Sequence, residues 1–217
     1  SDLYFPTTMI FNYLENQCEK IEKTIPDFVI LGGDIVDEST TYGELKEVFS
    51  TLGKIKSKYG VFFVMGNHDS SKYGFISSDY TMEDLEKALD DASIISLTDD
   101  VYTYNEEFTI IGRDDSVFND KRMESSLLME NVDKSDFLLL IDHKLLELDV
   151  NADLGYDLQL SGHTHGGQIF PTGLFTKWFG NGMNYGYKKI KDFQVIVSSG
   201  IGGWSYPFRT GSSSEFL

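Results

Sequence analysis

Two of the chain's four histidines, His163 and His165, stand one residue apart in "LQLSGHTHGGQ", between a short apolar run and two glycines. The other two, His68 in "MGNHD" and His143 in "LIDH", also follow apolar runs. Neutral imidazole is the commonest metal ligand among side chains. If residues 163 to 165 are extended, both rings face one side, because side chains alternate with period two along a strand. Two imidazoles on one face make half of a metal site. Taken alone, the pair is as readily two solvent-exposed or core-satisfied histidines.

Carboxylates stand in matching places. "GGDIVD" puts Asp34 directly after a glycine turn and Asp37 three residues later. A carboxylate at a strand end can bridge two cations, the arrangement that holds dinuclear sites about 3.5–4 Å across. By itself Asp34 is more commonly a turn or N-cap aspartate. Asn67 offers an oxygen donor beside His68, and "SDLY" offers Asp2. Asp69 in "GNHD" reads as a loop hydrogen-bonding residue rather than a direct participant. Oxygen and imidazole donors without thiolate suit Mn, Fe or Zn better than Cu(I) or an iron–sulfur cluster.

The elements that must position these residues are short. Residues 8 to 24 form an amphipathic pattern ended by Pro26, and "DFVILGGD" (27 to 34) is an apolar run stopping at glycines, as a buried strand does. A helix is expected near 42 to 57, then a strand at 61 to 69. "TMED" (81 to 84) has the form of a capping box opening a helix to about 90. "VYTYN" and "FTIIGRDD" look like paired strands, a short helix near 121 to 131 leads to the strand "FLLLIDH" (137 to 143), and the last third reads as strand and loop with little helix. This order predicts a mixed α/β domain with layered sheets. Ligands bind beyond the carboxyl ends of strands in open α/β sheets, so the Asp-, Asn- and His-bearing loops are expected to converge.

Composition narrows the partners. With 217 residues the chain is long enough for one sizeable core, read as a single domain over 1–217. No apolar run approaches membrane-spanning length, and mean hydropathy is −0.23. Thirty-five acidic against 18 basic residues give a net charge of −17, which repels nucleic-acid backbones and anionic lipids. An anionic phosphoester would then need bound metal to attract it. The single Cys18 excludes an internal disulfide and a cysteine-rich metal site; it falls in a helical pattern with Tyr13, Leu14 and Ile21 and reads as a buried, inert thiol.

In order along the chain, "SDLY", "GDIVD", "GNHD", "DH" and "GHTH" span residues 2 to 165 and use every histidine. This series resembles the calcineurin-like metallophosphoesterases. "DLQLSGHTHGGQ", "GRDD" and the "PFRTG…SSEFL" ending look most like the bacterial branch with membrane-anchored phosphoesterases and UDP-2,3-diacylglucosamine pyrophosphohydrolases. The resemblance implies a four-layer α/β/β/α sandwich and two divalent metal ions (Mn, Fe or Zn) bridged by Asp34. One would also take Asp2 and His165, the other Asn67, His143 and His163. It further implies that a metal-activated hydroxide attacks phosphorus in line. His68 would act as general acid toward the leaving group, with Asp37 holding its other nitrogen. Protonation by a positioned histidine is worth roughly 10²–10⁴-fold.

The pattern departs from the family at Tyr4, where a metal-binding histidine is usual. A neutral phenol is a poor ligand for Mn or Zn, and the tyrosinate of purple acid phosphatases comes from the position of Asp37, so Tyr4 is expected to line the site without strongly ligating. That departure keeps an alternative open: a non-catalytic metal- or ligand-binding protein on the same fold. The family also places an apolar strand ahead of Asp2, which is expected before residue 1.

On the substrate side, Arg209 in "PFRTG" could clamp an anion or form a surface ion pair, and Lys72 is a weaker candidate for the same task. Phe175, Trp178 and Phe179 could line an acyl or nucleobase pocket, meet a membrane interface, or close the core under a loop. The expected partner is a small phosphodiester or pyrophosphate, nucleotide- or lipid-linked. Nucleic acid is disfavoured by the missing basic groove. Membrane association through a segment outside these residues stays open, and so does the choice between a cytoplasmic and a membrane-associated bacterial location.

Overall fold

The computed structural model describes residues 1–73, 75–105, 107–115, 122–179 and 183–217, with backbone only for 176–179. In chain order the elements are α1 (Phe11–Glu22), β1 (Val29–Gly32), α2 (Tyr42–Leu52), β2 (Val61–Val64), β3 (Lys72–Tyr73), β4 (Ile76–Ser77), α3 (Met82–Asp91), β5 (Ile94–Ser96), β6 (Asp100–Tyr104), β7 (Phe108–Gly112), α4 (Ser125–Leu128), β8 (Phe137–Ile141), α5 (Leu148–Leu154), β9 (Leu158–Ser161), α6 (Thr172–Phe179), β10 (Gly186–Ile190) and β11 (Phe193–Val197). One sheet is parallel, in the order β1-β2-β5; a second has the order β10-β11-β9-β8-β7-β6, with parallel strands at its centre and antiparallel β10 and β6 at its edges. β3 and β4 form a small separate hairpin.

Side-chain alternation turns these sheets into layers. In β2, Val61 and Phe63 face one apolar cluster with Leu45, Phe49 and Leu85 from α2 and α3, while Phe62 and Val64 face another. In β8, Leu139 and Ile141 join Phe62 and Val64, whereas Leu138 and Leu140 pack with Leu148 of α5. Each sheet thus buries both faces, and the middle cluster is sheet on sheet. Helices cover the outer faces, giving the four-layer α/β/β/α order. Strands buried on both faces read as unbroken apolar runs rather than alternating ones, which is the form of "VFFV" and "FLLLI".

Local signals explain most of the helices. Thr41 and Glu44 close a capping box at α2, and Thr81 and Asp84 do the same at α3 as the sequence predicts. The expectation of little helix in the last third is corrected by α6, which starts just after Pro171, where a fixed φ suits a first turn. α5 also escapes the sequence pattern: Glu147 precedes it with a left-handed backbone and no side-chain cap. Cys18 is half-buried against the first apolar cluster, and burial pushes its thiol up to about 11. No described helix is long and apolar enough to cross a membrane.

Residues 1–5 are stitched on two sides. Asp2, Leu3 and Phe5 donate backbone N–H groups to the carbonyls of Gly33, Asp34 and Ile35. From the other side, Ile201 and Gly202 donate to Ser1 and Asp2. Asp2 is consequently fully buried.

Candidate metal centre

Four parallel strands deliver the candidate ligands. Asp34 follows β1, Asn67 follows β2, His143 follows β8, and His163 and His165 follow β9. The loops approach so closely that side chains are excluded between them. A Cβ on Gly33, whose φ is +84°, would lie 2.6 Å from His143 Nδ1; one on Gly66 would lie 2.3 Å from the Asp34 nitrogen. Asp2, Tyr4, Asp34, His163 and His165 all have positive φ. Such backbone is costly for non-glycine residues and persists where surrounding structure over-determines it.

Asp34, His143 and His163 bring their ligand atoms within 4.8 Å of one another. His143 donates its Nδ1 hydrogen to the Gly32 carbonyl at 2.9 Å. That bond orients the ring and leaves Nε2 as the nitrogen facing the site. Nε2 lies 3.0 Å from Asp34 Oδ2 yet makes no hydrogen bond. Burial alone would lower the His143 pKa, but the Asp34 carboxylate raises it to about 10. Burial alone would raise Asp34, and His143 instead holds it below the usual carboxylate range. Burial, with the His143 charge beside it, brings His163 down to about 4. Asn67 is buried with Oδ1 unpartnered.

His165, Asp2 and Tyr4 gather on the other side of Asp34. His165 Nε2 is 3.7 Å from Asp2 Oδ1, and burial lowers the His165 pKa. Tyr4 reaches into the cluster: its hydroxyl donates to Asp34 Oδ2 at 2.6 Å and lies 3.2 Å from His165 Nε2. Burial and the Asp34 charge hold its pKa well above the usual phenol value. The expected extended conformation at 163–165 does not occur. Both histidines are left-handed, and turns bond Thr164 N to the Gly162 carbonyl and Gly167 N to the Thr164 carbonyl. The rings diverge, His163 facing His143 at a centroid distance of 5.3 Å and His165 facing Tyr4 at 5.4 Å.

His68 donates its backbone N–H to Asp34 Oδ1 at 2.9 Å, and its ring pairs with a residue other than Asp37. Its Nδ1 meets Glu38 Oε1 at 2.6 Å, not Asp37. The Asp37 carboxylate accepts instead from the backbone and hydroxyl of Ser39, two residues on. Burial lowers the His68 pKa, but the Glu38 hydrogen bond and the charges of Asp34, Glu38 and Asp69 together raise it above the ordinary value. Tyr73 stacks on the His68 ring at 4.3 Å. Asp69 is the loop tie that the sequence suggests: its carboxylate accepts four backbone N–H groups, from Asp34, Ile35, Val36 and Gly66. Burial and the Asp34 charge still push it up to about 7.

Among the described residues Arg209 forms no ion pair; it donates to the backbone carbonyls of His165, Gly200 and Gly202 and to Ser212, bracing the loops around the site. Lys72 is exposed on β3, next to the Tyr73 that covers His68. Phe175 is exposed, and the side chains of Trp178 and Phe179 lie outside the described residues. Sequence reasoning missed Glu38, Tyr73 and a charged brace behind His143, in which Arg122 grips the buried Asp142 through two bonds and Lys144 meets Asp115 at 2.7 Å.

The donor set fits bound metal. Asp2 Oδ2, Asn67 Oδ1, His143 Nε2, His163 Nδ1 and His165 Nδ1 are all buried without a hydrogen-bond partner. Buried polar atoms are ordinarily paired, and oxygen and imidazole donors suit first-row divalent ions. The calcineurin-like phosphoesterase family model matches residues 1–167, which contain every one of these ligands. The chain belongs to that family.

The chain is 29% identical to an uncharacterized metallophosphoesterase of Helicobacter pylori over 99% of its own length and 56% of the relative's. It is 30% identical to one of Campylobacter jejuni over 100% of its length and again 56% of the relative's. It therefore spans little more than half of these relatives. Among solved structures, it superposes on TT1561 of Thermus thermophilus with a TM-score of 0.54 at 10% identity, covering 88% of this chain and 84% of that one. That likeness carries the fold. The cluster of oxygen and imidazole donors at the strand ends is suited to metal.

Proposed function

We propose that this phosphoesterase hydrolyses a small phosphodiester or pyrophosphate, nucleotide- or lipid-linked, with two divalent metal ions. The observation that carries the proposal is the approach of Asp34, His143 and His163 within 4.8 Å, amid buried donor atoms that have no partner. Asp34, Asn67, His143 and His163 would hold one ion; Asp2, Asp34 and His165 would hold the other. When bound, such ions supply Lewis acidity to phosphoryl oxygens and lower the pKa of coordinated water.

The rest is work for this chain's own side chains. His68 carries the proton for the leaving-group oxygen, and Glu38 favours its cationic form, which suits a general acid. Tyr73 covers one face of the ring and limits its rotation. The net charge of −17 argues against a nuclease. Phe170, Leu174 and Phe175 are exposed on the stretch following His165, and Trp204, Tyr206 and Phe208 on the loop that Gln168 ties to it. This apolar surface suits the lipid or nucleobase part of a substrate. Membrane association, through a segment outside these residues, belongs to the same proposal.

The test is metal content together with hydrolysis of bis-p-nitrophenyl phosphate across Mn, Zn, Fe and Mg, for wild type and His68→Ala. Near two metals per chain, with turnover lost in the variant while metal stays, is the expected result. One metal or fewer and no turnover with any ion would instead mark a binding protein.

A further inference from the structure

We propose that the aromatic rim beside the metal centre docks on the surface of a lipid bilayer, so that substrate is met at the membrane rather than in solution. The inference rests on the lipid-linked reading of the substrate above and deepens it.

Three observations carry it. Exposed apolar side chains border the centre through two different contacts. The stretch after His165 exposes Phe170, Leu174 and Phe175, and the loop tied to it exposes Trp204, Tyr206 and Phe208. The β3–β4 hairpin, whose Tyr73 stacks on His68, exposes Phe75 and Ile76. Apolar groups gathered in this way mark an interaction surface. The exposure is also held in place. Gln168 is buried; its Nε2 donates to the carbonyls of Trp204, Tyr206 and Phe208, and its Oε1 accepts from Trp204 N. With those carbonyls turned inward, the three rings stand outward, each more than half exposed. Arg209 and Ser212 both donate to the His165 carbonyl and fasten the same loop to the centre.

The third observation is charge. Of the chain's 35 acidic residues, only Asp192 falls between residues 158 and 214. It stands at the β10–β11 turn, the opposite end of β11 from the metal centre, because β11 runs parallel to the β9 that leads to His163. Residues 70–78, which hold the hairpin, include Lys72 and no carboxylate. A net charge of −17 is repelled by anionic headgroups, yet this rim can approach a bilayer without bringing a carboxylate to it. Trp and Tyr are the side chains favoured at the membrane interface. A protein partner would usually find charged residues to pair with around such a face, and this stretch offers few.

The experiment mixes the protein with phosphatidylcholine vesicles, with and without one-fifth phosphatidylglycerol, and measures binding by flotation. In Trp178→Phe, Trp204 is the one remaining tryptophan, and its fluorescence reports contact with lipid. Flotation with both vesicle types is expected, with Trp204 emission shifted to the blue and quenched by brominated acyl chains. Phe175→Ser, Trp204→Ser and Phe208→Ser should each lower the partition coefficient about tenfold. Ile25→Ser, equally exposed but ahead of β1 at the other end of the sheet, should not. No flotation, flotation equal in all variants, or Trp204 emission unmoved by lipid would each overturn the inference. So would a dimer seen by light scattering without lipid and lost in Trp204→Ser, which would give the face to a second copy. Wild type that turns over bis-p-nitrophenyl phosphate but ignores vesicles defeats only this inference; wild type that binds vesicles but turns over nothing with any metal defeats only the hydrolase.

Discussion

Nδ1 of His68 meets Oε1 of Glu38 at 2.6 Å, while the carboxylate of Asp37, one residue earlier, folds back on Ser39 at 2.6 Å. Neighbouring carboxylates thus have different tasks. Glu38 orients a ring that can give up a proton; Asp37 shapes the turn.

Glu38→Gln should therefore lower kcat by about 10- to 100-fold, within the range that a positioned general acid supplies. Asp37→Asn should leave kcat within a few-fold. The loss in Glu38→Gln should be larger for an alkyl phosphodiester than for bis-p-nitrophenyl phosphate, because p-nitrophenolate departs with little help from a proton. Steady-state kinetics on both substrates checks this, and equal losses on the two would remove His68 from the acid role.

Metal binding should release a proton. His143 sits at about 10 in the metal-free chain and is protonated at pH 7, whereas His163 at about 4 is already neutral. A metal taking His143 Nε2 must displace its proton, so affinity should climb by up to about tenfold per pH unit below 10. The folded value of His143 is raised, so its contribution to stability is full below about 6.5 and disappears as pH rises through 10. That of His163 is lowered, so its contribution is full above about 6.5 and disappears as pH falls toward 4. Calorimetric titration with Zn in buffers of different ionisation enthalpy should show close to one proton released at this position.

Asp69→Ala should unfold the site before it affects chemistry. It strands four backbone N–H groups at the buried Asp34, Ile35, Val36 and Gly66. Each buried unpaired group costs about 1–3 kcal/mol, and partial relaxation should leave a net loss of about 3–5 kcal/mol. Urea denaturation at pH 7.5 measures it. Asp69→Asn, which keeps one accepting oxygen, should recover part of the loss.

How far the sequence carries depends on whether the information is local. The strands β1, β2, β8 and β9 are apolar runs cut by polar loops, so the strand ends, and with them Asp34, Asn67, His143 and His163, are legible from patterning. The capping box at Thr81 is equally local. The partner of His68 required one more inference: Asp37 is followed two positions later by Ser39, and that spacing turns a carboxylate onto its own backbone. Asp133 and Ser135 repeat the same arrangement. The diverging imidazoles at 163 and 165 could not be read, because their left-handed backbone is imposed by contacts with residues about 160 positions away, such as the Asp2 carboxylate that accepts from His163 N. The bracing contacts of Arg209 were out of reach for a similar reason. Its acceptors are backbone carbonyls, which carry no sequence signature.

Chelation should weaken this protein without unfolding it. The three apolar clusters are built from strands and helices and include none of the candidate ligands, so the fold does not wait for metal as a zinc finger does. Metal binding to the folded chain alone adds RT ln(1 + [L]/Kd), about 2.7 kcal/mol at a hundredfold excess over Kd. For a chain of this size that corresponds to roughly 5–10 °C in Tm per site. Differential scanning fluorimetry with and without chelator should show one cooperative transition in each case, shifted by about that amount, with far-ultraviolet dichroism unchanged at 25 °C. Asp34→Asn, lacking the carboxylate common to both positions, should lose most of the chelator-sensitive shift. Loss of helical signal on chelation at 25 °C would instead mean that metal holds the two sheets together.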